Sequence, residues 1–133
     1  MVKYKETYGG DFTYTVVGAY DENDSYVDQV KSRIKENSLQ DNVVFAGFVE
    51  QAKLDSLYAE ADLFLMLSIQ SGLSVEGFGL VYLEANAKGV PTIGSKESGA
   101  VDAISDGVSG YLVDPYNLIE AAEKIHLVID KGL

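Results

Sequence analysis

Two glutamates, Glu76 and Glu84, stand eight positions apart in the stretch Gly-Leu-Ser-Val-Glu-Gly-Phe-Gly-Leu-Val-Tyr-Leu-Glu-Ala-Asn-Ala-Lys-Gly that runs from Gly72 to Gly89. Gly77 and Gly79 follow the first glutamate and let the backbone approach a ligand closely. From about Leu80 the pattern predicts a helix, and the amides of its first turn, with no partner inside the helix, form a positive dipole end suited to phosphate. Glu76 precedes that helix and Glu84 lies within it, so the carboxylates bracket the anion site and do not fill it. A carboxylate repels phosphate but accepts hydrogen bonds from hydroxyls. The ligand this chemistry suits has a diphosphate in the middle and a hydroxyl-rich ring on either side, as in a nucleotide sugar.

Each feature also has a plainer reading. A glutamate in a helix is ordinarily a solvated surface group, and only the pairing of Glu84 with Glu76 beside glycines turns the balance. Gly89, Gly107 and Gly110 read as turn formers. Lys96, in a loop after a strand, has the reach to touch a phosphate, yet a lone lysine in a polar loop usually faces solvent. Arg33, the one arginine, sits in Asp28-Gln29-Val30-Lys31-Ser32-Arg33-Ile34-Lys35-Glu36, the pattern of a solvated helix face, and His126 has no acidic or nucleophilic pattern near it.

The elements that must position these residues alternate. Phe12 to Val17 is apolar and β-prone, and Asp24 or Ser25 caps a helix with Val27, Val30 and Ile34 on one face. Val43 to Phe45 makes a second strand, closed by Gly47. Leu54, Leu57, Tyr58 and Ala61 have helical spacing, and Leu63 to Leu67 is a continuous apolar run of buried-strand type. The loop 72 to 79 leads into a helix from Leu80 to Lys88, with Gly89 just past its end. Val90 to Ile93 predicts a strand, Ala100 to Ile104 a short helix and Tyr111 to Val113 a last strand. Asn117 then caps a closing helix bearing Leu118, Ala121, Ala122, Ile125 and Val128. Strands and helices taking turns imply an α/β fold, a Rossmann-like doubly wound parallel sheet with helices on both faces. Ligands of such sheets bind beyond the carboxyl ends of the strands. The loops at Gly47 to Glu50, Ser68 to Gly79 and Gly94 to Gly99 leave those ends.

Composition narrows the function further. With 133 residues and 47% hydrophobic content the chain can build one core, and no repeat or linker divides it. It has no cysteine and one histidine, which excludes a thiol nucleophile, a thiolate metal site and a histidine-rich metal centre. Ten basic against 21 acidic residues give a formal charge of −11, which argues against nucleic acid or an anionic membrane surface as partner. No apolar run approaches the roughly 20 residues of a membrane span, and the N-terminus lacks a signal peptide's apolar stretch, so the cytoplasm is the expected location.

The sequence resembles the retaining glycosyltransferases of the GT-B fold, the large group that includes sucrose, glycogen and bacterial polysaccharide synthesising enzymes, whose signature is two glutamates separated by seven residues. Five blocks carry the resemblance in order: 42–49 (Asn-Val-Val-Phe-Ala-Gly-Phe-Val), 57–65 (Leu-Tyr-Ala-Glu-Ala-Asp-Leu-Phe-Leu), 76–80 (Glu-Gly-Phe-Gly-Leu), 87–92 (Ala-Lys-Gly-Val-Pro-Thr) and 106–113 (Asp-Gly-Val-Ser-Gly-Tyr-Leu-Val). It runs from about Phe12 to the end and covers the later part of the family's second domain. It implies that the backbone after Gly47, at Phe48 and Val49, receives the nucleobase, that Glu84 takes the ribose hydroxyls, and that Glu76 lies by the donor sugar as the catalytic glutamate. The amides of Gly77, Phe78, Gly79 and Leu80 would face the sugar and diphosphate. No metal or other cofactor is implied, and the nucleotide sugar is substrate.

The family's second domain opens with a further strand and helix carrying a basic pair, which the resemblance implies this chain begins after, and its acceptor domain is absent. The residues 1–133 are therefore expected to be the donor-binding part of a two-domain enzyme, inactive alone and prone to self-association or to pairing with a complementing segment, with Met1 to Gly10 as a makeshift cover. One loop departs from the family: Ser98-Gly99-Ala100-Val101-Asp102 stands where two glycines and a glutamate are usual. Two other readings compete, a sugar-nucleotide epimerase of the same fold and a non-catalytic nucleotide-sugar-binding or interaction module.

Overall fold

The computed structural model describes residues 1–69 and 79–133, and its chain divides into two compact units, Met1–Leu54 and Asp55–Leu133. The first holds α1 (Val2–Tyr8), β1 (Tyr14–Val17), α2 (Ser25–Glu36) and β2 (Val43–Gly47); α3 (Gln51–Glu60) spans the division. The second holds β3 (Phe64–Met66), α4 (Leu80–Ala87), β4 (Thr92–Ser95), α5 (Ala100–Ala103), β5 (Gly110–Val113) and α6 (Leu118–Lys131). Among the described residues all strand pairings are parallel, as the α/β alternation requires, with the order β1–β2 in the first unit and β3–β4–β5 in the second.

In the first unit the β-prone run at Tyr14–Val17 pairs with Val43–Gly47, Tyr14 opposite Val43 and Val17 opposite Gly47, with an irregularity between Val16 and Val17. Asp24 caps α2 by accepting the Tyr26 amide at 2.8 Å. On this helix only Val27, Val30 and Ile34 are withdrawn from full exposure, the face the sequence spacing marks, and Arg33 is exposed. Asn42 binds three segments together: its side chain donates to the Phe12 carbonyl at 2.9 Å and accepts from Lys5 Nζ at 2.8 Å, while its own carbonyl takes the Tyr14 amide at 2.7 Å. Lys5 also donates to the Ser38 carbonyl at 2.8 Å. These bonds, and the rings of Tyr4, Tyr8 and Phe12 packed with centroids 5.6 and 5.7 Å apart, hold α1. Within the segment Met1 to Gly10, the helix Val2–Tyr8 is thus seated on its own unit.

The second unit surrounds β4, whose four residues are all buried, at the centre of the three-stranded sheet. Ile93 and Val113 are fully buried, and Ala121, Ala122, Ile125 and Val128 bring one stripe of α6 inward. Leu118, expected on that stripe, is largely exposed at the first position of the helix. Asn117 caps α6 through the Glu120 amide at 3.1 Å. A second cluster joins Tyr82 of α4 to Ala100, Ala103 and Ile104, with Phe64, Met66, Val81 and Leu112 against it. The three residues of β3, at the end of this strand order, are half-buried, where the apolar run suggests a fully buried strand. Among the described residues no helix is long and apolar enough to cross a membrane.

Candidate functional site

The carboxyl ends of β3 and β4 frame the start of α4. Gly79 precedes the helix in the left-handed region, φ 64° and ψ 36°, a conformation that glycine reaches without strain. It is buried, and a Cβ there would stand 2.8 Å from Tyr82 Cδ2 and 3.0 Å from the Gly99 carbonyl oxygen. The need for glycine is therefore double: backbone angle and space. Among the described residues no side chain caps α4 at Gly79, and its first-turn amides form the positive end of the helix. Leu80 is 65% exposed. Glu84 follows one turn later on the same face and is also exposed.

The loop after β4 is stiffened by its own serines. The Ser95 hydroxyl accepts the Glu97 amide at 3.0 Å, and the Ser98 hydroxyl donates to the Ser95 carbonyl at 3.1 Å while accepting the Ala100 amide at 3.2 Å. The departure at 98–102 thus supplies a hydroxyl that turns the chain into α5. Lys96 leaves this loop toward α6, where its Nζ lies 2.8 Å from Glu120 Oε1; the other carboxylate oxygen accepts the Asp114 amide at 3.1 Å. The hydrogen bond from Lys96 holds the Glu120 carboxyl below its ordinary value, and the same bond raises Lys96 above its own.

Of the residues marked by the sequence, Gly79, Leu80 and Glu84 come together on α4. Glu76, Gly77 and Phe78 lie outside the described residues. Gly47, Phe48 and Val49 lie in the first unit at the carboxyl end of β2: Gly47 has φ 66° and its carbonyl accepts the Gly18 amide at 2.9 Å, Phe48 is 79% exposed, and Val49 is half-buried. Three neighbours were not singled out as functional by sequence reasoning. Tyr58 of α3 has its phenol raised above 10.0, first by burial and then by the negative charge of Glu84. Asn86 of α4 donates to the carbonyls of Val90 at 3.0 Å and Ser109 at 2.9 Å. Tyr82 is fully buried beneath Gly79. For Tyr82 and Asn86 the signal is a polar group among the apolar positions of α4, where burial obliges it to find a partner. Among the described residues no cluster of histidine, cysteine, aspartate and glutamate could hold a metal ion.

Parallel strands leading through glycine turns into helix N-termini define an α/β domain of the Rossmann-like, GT-B type. Residues 1–132 match the family Glycosyl transferases group 1, and the chain belongs to that family. It is 34% identical over 125 residues to the amylovoran biosynthesis glycosyltransferase AmsK of Erwinia amylovora, an overlap that covers 93% of this chain and 30% of the relative. It is 35% identical over 91 residues to a GDP-mannose-dependent α-(1-6)-phosphatidylinositol monomannoside mannosyltransferase of Mycolicibacterium smegmatis, covering 67% of this chain and 24% of that protein. Among solved structures, HepE of Anabaena in complex with UDP and glucose superposes with a TM-score of 0.77 at 30% identity, covering 90% of this chain and 31% of that one. The chain thus spans less than a third of these relatives' length.

Proposed function

We propose that this chain is the donor-binding part of a two-domain retaining glycosyltransferase, which moves a sugar from a nucleoside diphosphate to a glycan, lipid or small-molecule acceptor. The observation that carries the reading is the start of α4: a left-handed Gly79, a first turn with no side-chain cap among the described residues and an exposed Glu84 on one helix, within a family match over residues 1–132. Support comes also from HepE, a similar structure in complex with UDP and glucose. The relatives named above are transferases, which favours transfer over epimerisation.

In this reading the α4 amides receive the diphosphate and Glu84 accepts hydrogen bonds from the ribose. The base rests by the backbone of Gly47, Phe48 and Val49, and Glu76 orients the donor sugar. As the bond from the anomeric carbon to the diphosphate breaks, negative charge grows on the leaving oxygen while the sugar becomes cation-like. Amides and a helix dipole already directed at that oxygen stabilise the change without reorganising. Glu76 offsets the positive charge of the sugar without forming a bond to it. With amides in this role the reaction needs no metal, so chelation by EDTA leaves transfer unchanged. Lys96, held by Glu120, must leave that pair to touch a phosphate. We place the protein in the cytoplasm, and we expect the isolated chain to bind donor weakly, transfer nothing, and self-associate or take up a complementing segment.

Calorimetric titration of the chain and of the complete two-domain protein with UDP-, GDP- and ADP-sugars tests this. One donor class should bind, more tightly in the complete protein, which also transfers the sugar. Absence of binding by all three classes in the complete protein overturns the reading.

A further inference from the structure

Tyr82 has no exposed surface, yet it carries a hydroxyl into the core. That hydroxyl donates to the Met66 carbonyl at 2.7 Å, at the last residue of β3. The ring meets Phe64 edge-on, centroids 5.6 Å apart and planes at 87°. It also closes on two glycines: a Cβ at Gly79 would stand 2.8 Å from Tyr82 Cδ2, and one at Gly94 would stand 3.1 Å from Cε1. A single side chain therefore touches the end of β3, the third residue of β4 and the residue that starts α4. Packing alone would be met by phenylalanine. The bond to Met66 calls for the tyrosine hydroxyl, and it falls where the β3 ladder ends.

We propose that Tyr82 is a positioning residue for the donor site, holding the end of β3 and the Gly79 turn in one register so that the first-turn amides of α4 meet the diphosphate in the geometry of bond cleavage. This rests on the donor-binding reading above. Tyr82 touches no substrate and acts through Gly79 and Met66. The leverage is large because donors aimed at developing charge lose their effect with small displacements, about 100-fold for about 1 Å in unfavourable cases.

The test is Tyr82→Phe in the complete two-domain protein, assayed with whichever of UDP-glucose, GDP-mannose or ADP-glucose the wild type uses. We expect kcat to fall about tenfold, equivalent to about 1.4 kcal/mol of barrier, and the melting temperature to fall by no more than one lost hydrogen bond explains, because the ring is retained. Donor KM should stay within about twofold, since the loss is felt in the transition state. A lowered melting temperature with wild-type kcat per folded enzyme would make the hydroxyl merely structural and overturn the proposal, as would fully wild-type behaviour. If Tyr82→Phe does not fold, Gly79→Ala presses a methyl onto the same ring and must lower kcat likewise; wild-type turnover in that variant overturns the proposal. Failure of the wild type to bind any nucleotide sugar overturns the donor reading, and this inference with it. Wild-type turnover alongside an unaffected Tyr82→Phe removes the Tyr82 assignment alone.

Discussion

Gly110 lies so close to Thr92 that a Cβ at position 110 would stand 2.0 Å from the Thr92 carbonyl oxygen and 2.5 Å from its hydroxyl. The two residues are register partners in the β4–β5 ladder, and Thr92 is fully buried. Gly110 is thus a packing glycine inside a strand, where the sequence suggests a turn former; the turn belongs to Gly107, with φ 76°. Because the obstacle is backbone at the sheet centre, no rotamer change relieves it. Gly110→Ala should destabilise the chain by about 3 kcal/mol or more. Urea denaturation measures this, and a wild-type midpoint would show that β4 and β5 do not pair in this register.

Asn86 offers a sharper contrast. Its amide nitrogen faces two carbonyl oxygens, of Val90 and Ser109, which are 3.0 and 2.9 Å away. The Ser109 carbonyl retains the Thr92 amide if Asn86 is lost. Asn86→Ala should therefore cost about 1–2 kcal/mol, one lost buried partner. Asn86→Asp keeps the shape but turns an acceptor toward two acceptors, so it should be the more damaging variant at neutral pH, with the gap closing as the new carboxyl is protonated. Thermal unfolding of both across acidic pH decides it; equal stability at neutral pH would contradict the donor assignment.

Local signals account for what was legible in the sequence. Caps at Asp24 and Asn117, the stripe Val27-Val30-Ile34 and the stripe of α6 follow from bonds and spacings within a few residues, and Glu84 on α4 follows the same way. What escaped depends on distant partners. The helix α1 has seven residues and no capping side chain, and it stands because Lys5 reaches Ser38 and Asn42. The apolar run at Phe64–Met66 looks fully buried, yet it is half-buried at the end of its strand order, which no local pattern encodes. The roles of Tyr82 and Gly110 arise from what stands opposite them in space. The catalytic glutamate marked by the sequence, Glu76, lies outside the described residues, so Glu84 is the member of the pair with a structural setting.

The Lys96–Glu120 pair predicts a pH signature. Glu120 titrates below its ordinary 4.5 in the folded chain, so its contribution is complete above that value and is lost as pH falls through the lowered one. Lys96 titrates above its ordinary 10.5, so its contribution is complete below that value and is lost as pH rises through the raised one. Between those limits the pair stabilises the loop after β4 against α6. Lys96 is half exposed and Glu120 partly so, which keeps the effect small and salt-sensitive. The melting-temperature difference between wild type and Glu120→Gln should be flat from about pH 6 to about pH 9, shrink on acidification below 4.5, and narrow with added salt. A difference that grows on acidification would assign the stabilisation to another group.

The two glutamates should fail in different ways when altered in the complete protein, the two-domain transferase proposed above. Glu84 is exposed one turn into α4, and in the reading proposed above its carboxylate accepts hydrogen bonds from a ribose that does not change during the reaction. Such an interaction is equal in ground and transition states, so its loss raises KM and spares kcat. Glu84→Gln keeps the side chain's shape and removes the charge, and the expected rise in donor KM is about tenfold, the worth of one charge-assisted hydrogen bond. Glu76 is assigned to the sugar, which becomes cation-like only as the bond breaks. Its interaction strengthens on the way to the transition state, so Glu76→Ala should lower kcat by about 100-fold or more while changing donor KM little. Steady-state kinetics with donor varied at saturating acceptor separate the two. Wild-type constants in both variants would place the donor site elsewhere; a kcat defect in Glu84→Gln with unchanged KM would exchange the roles assigned to the pair.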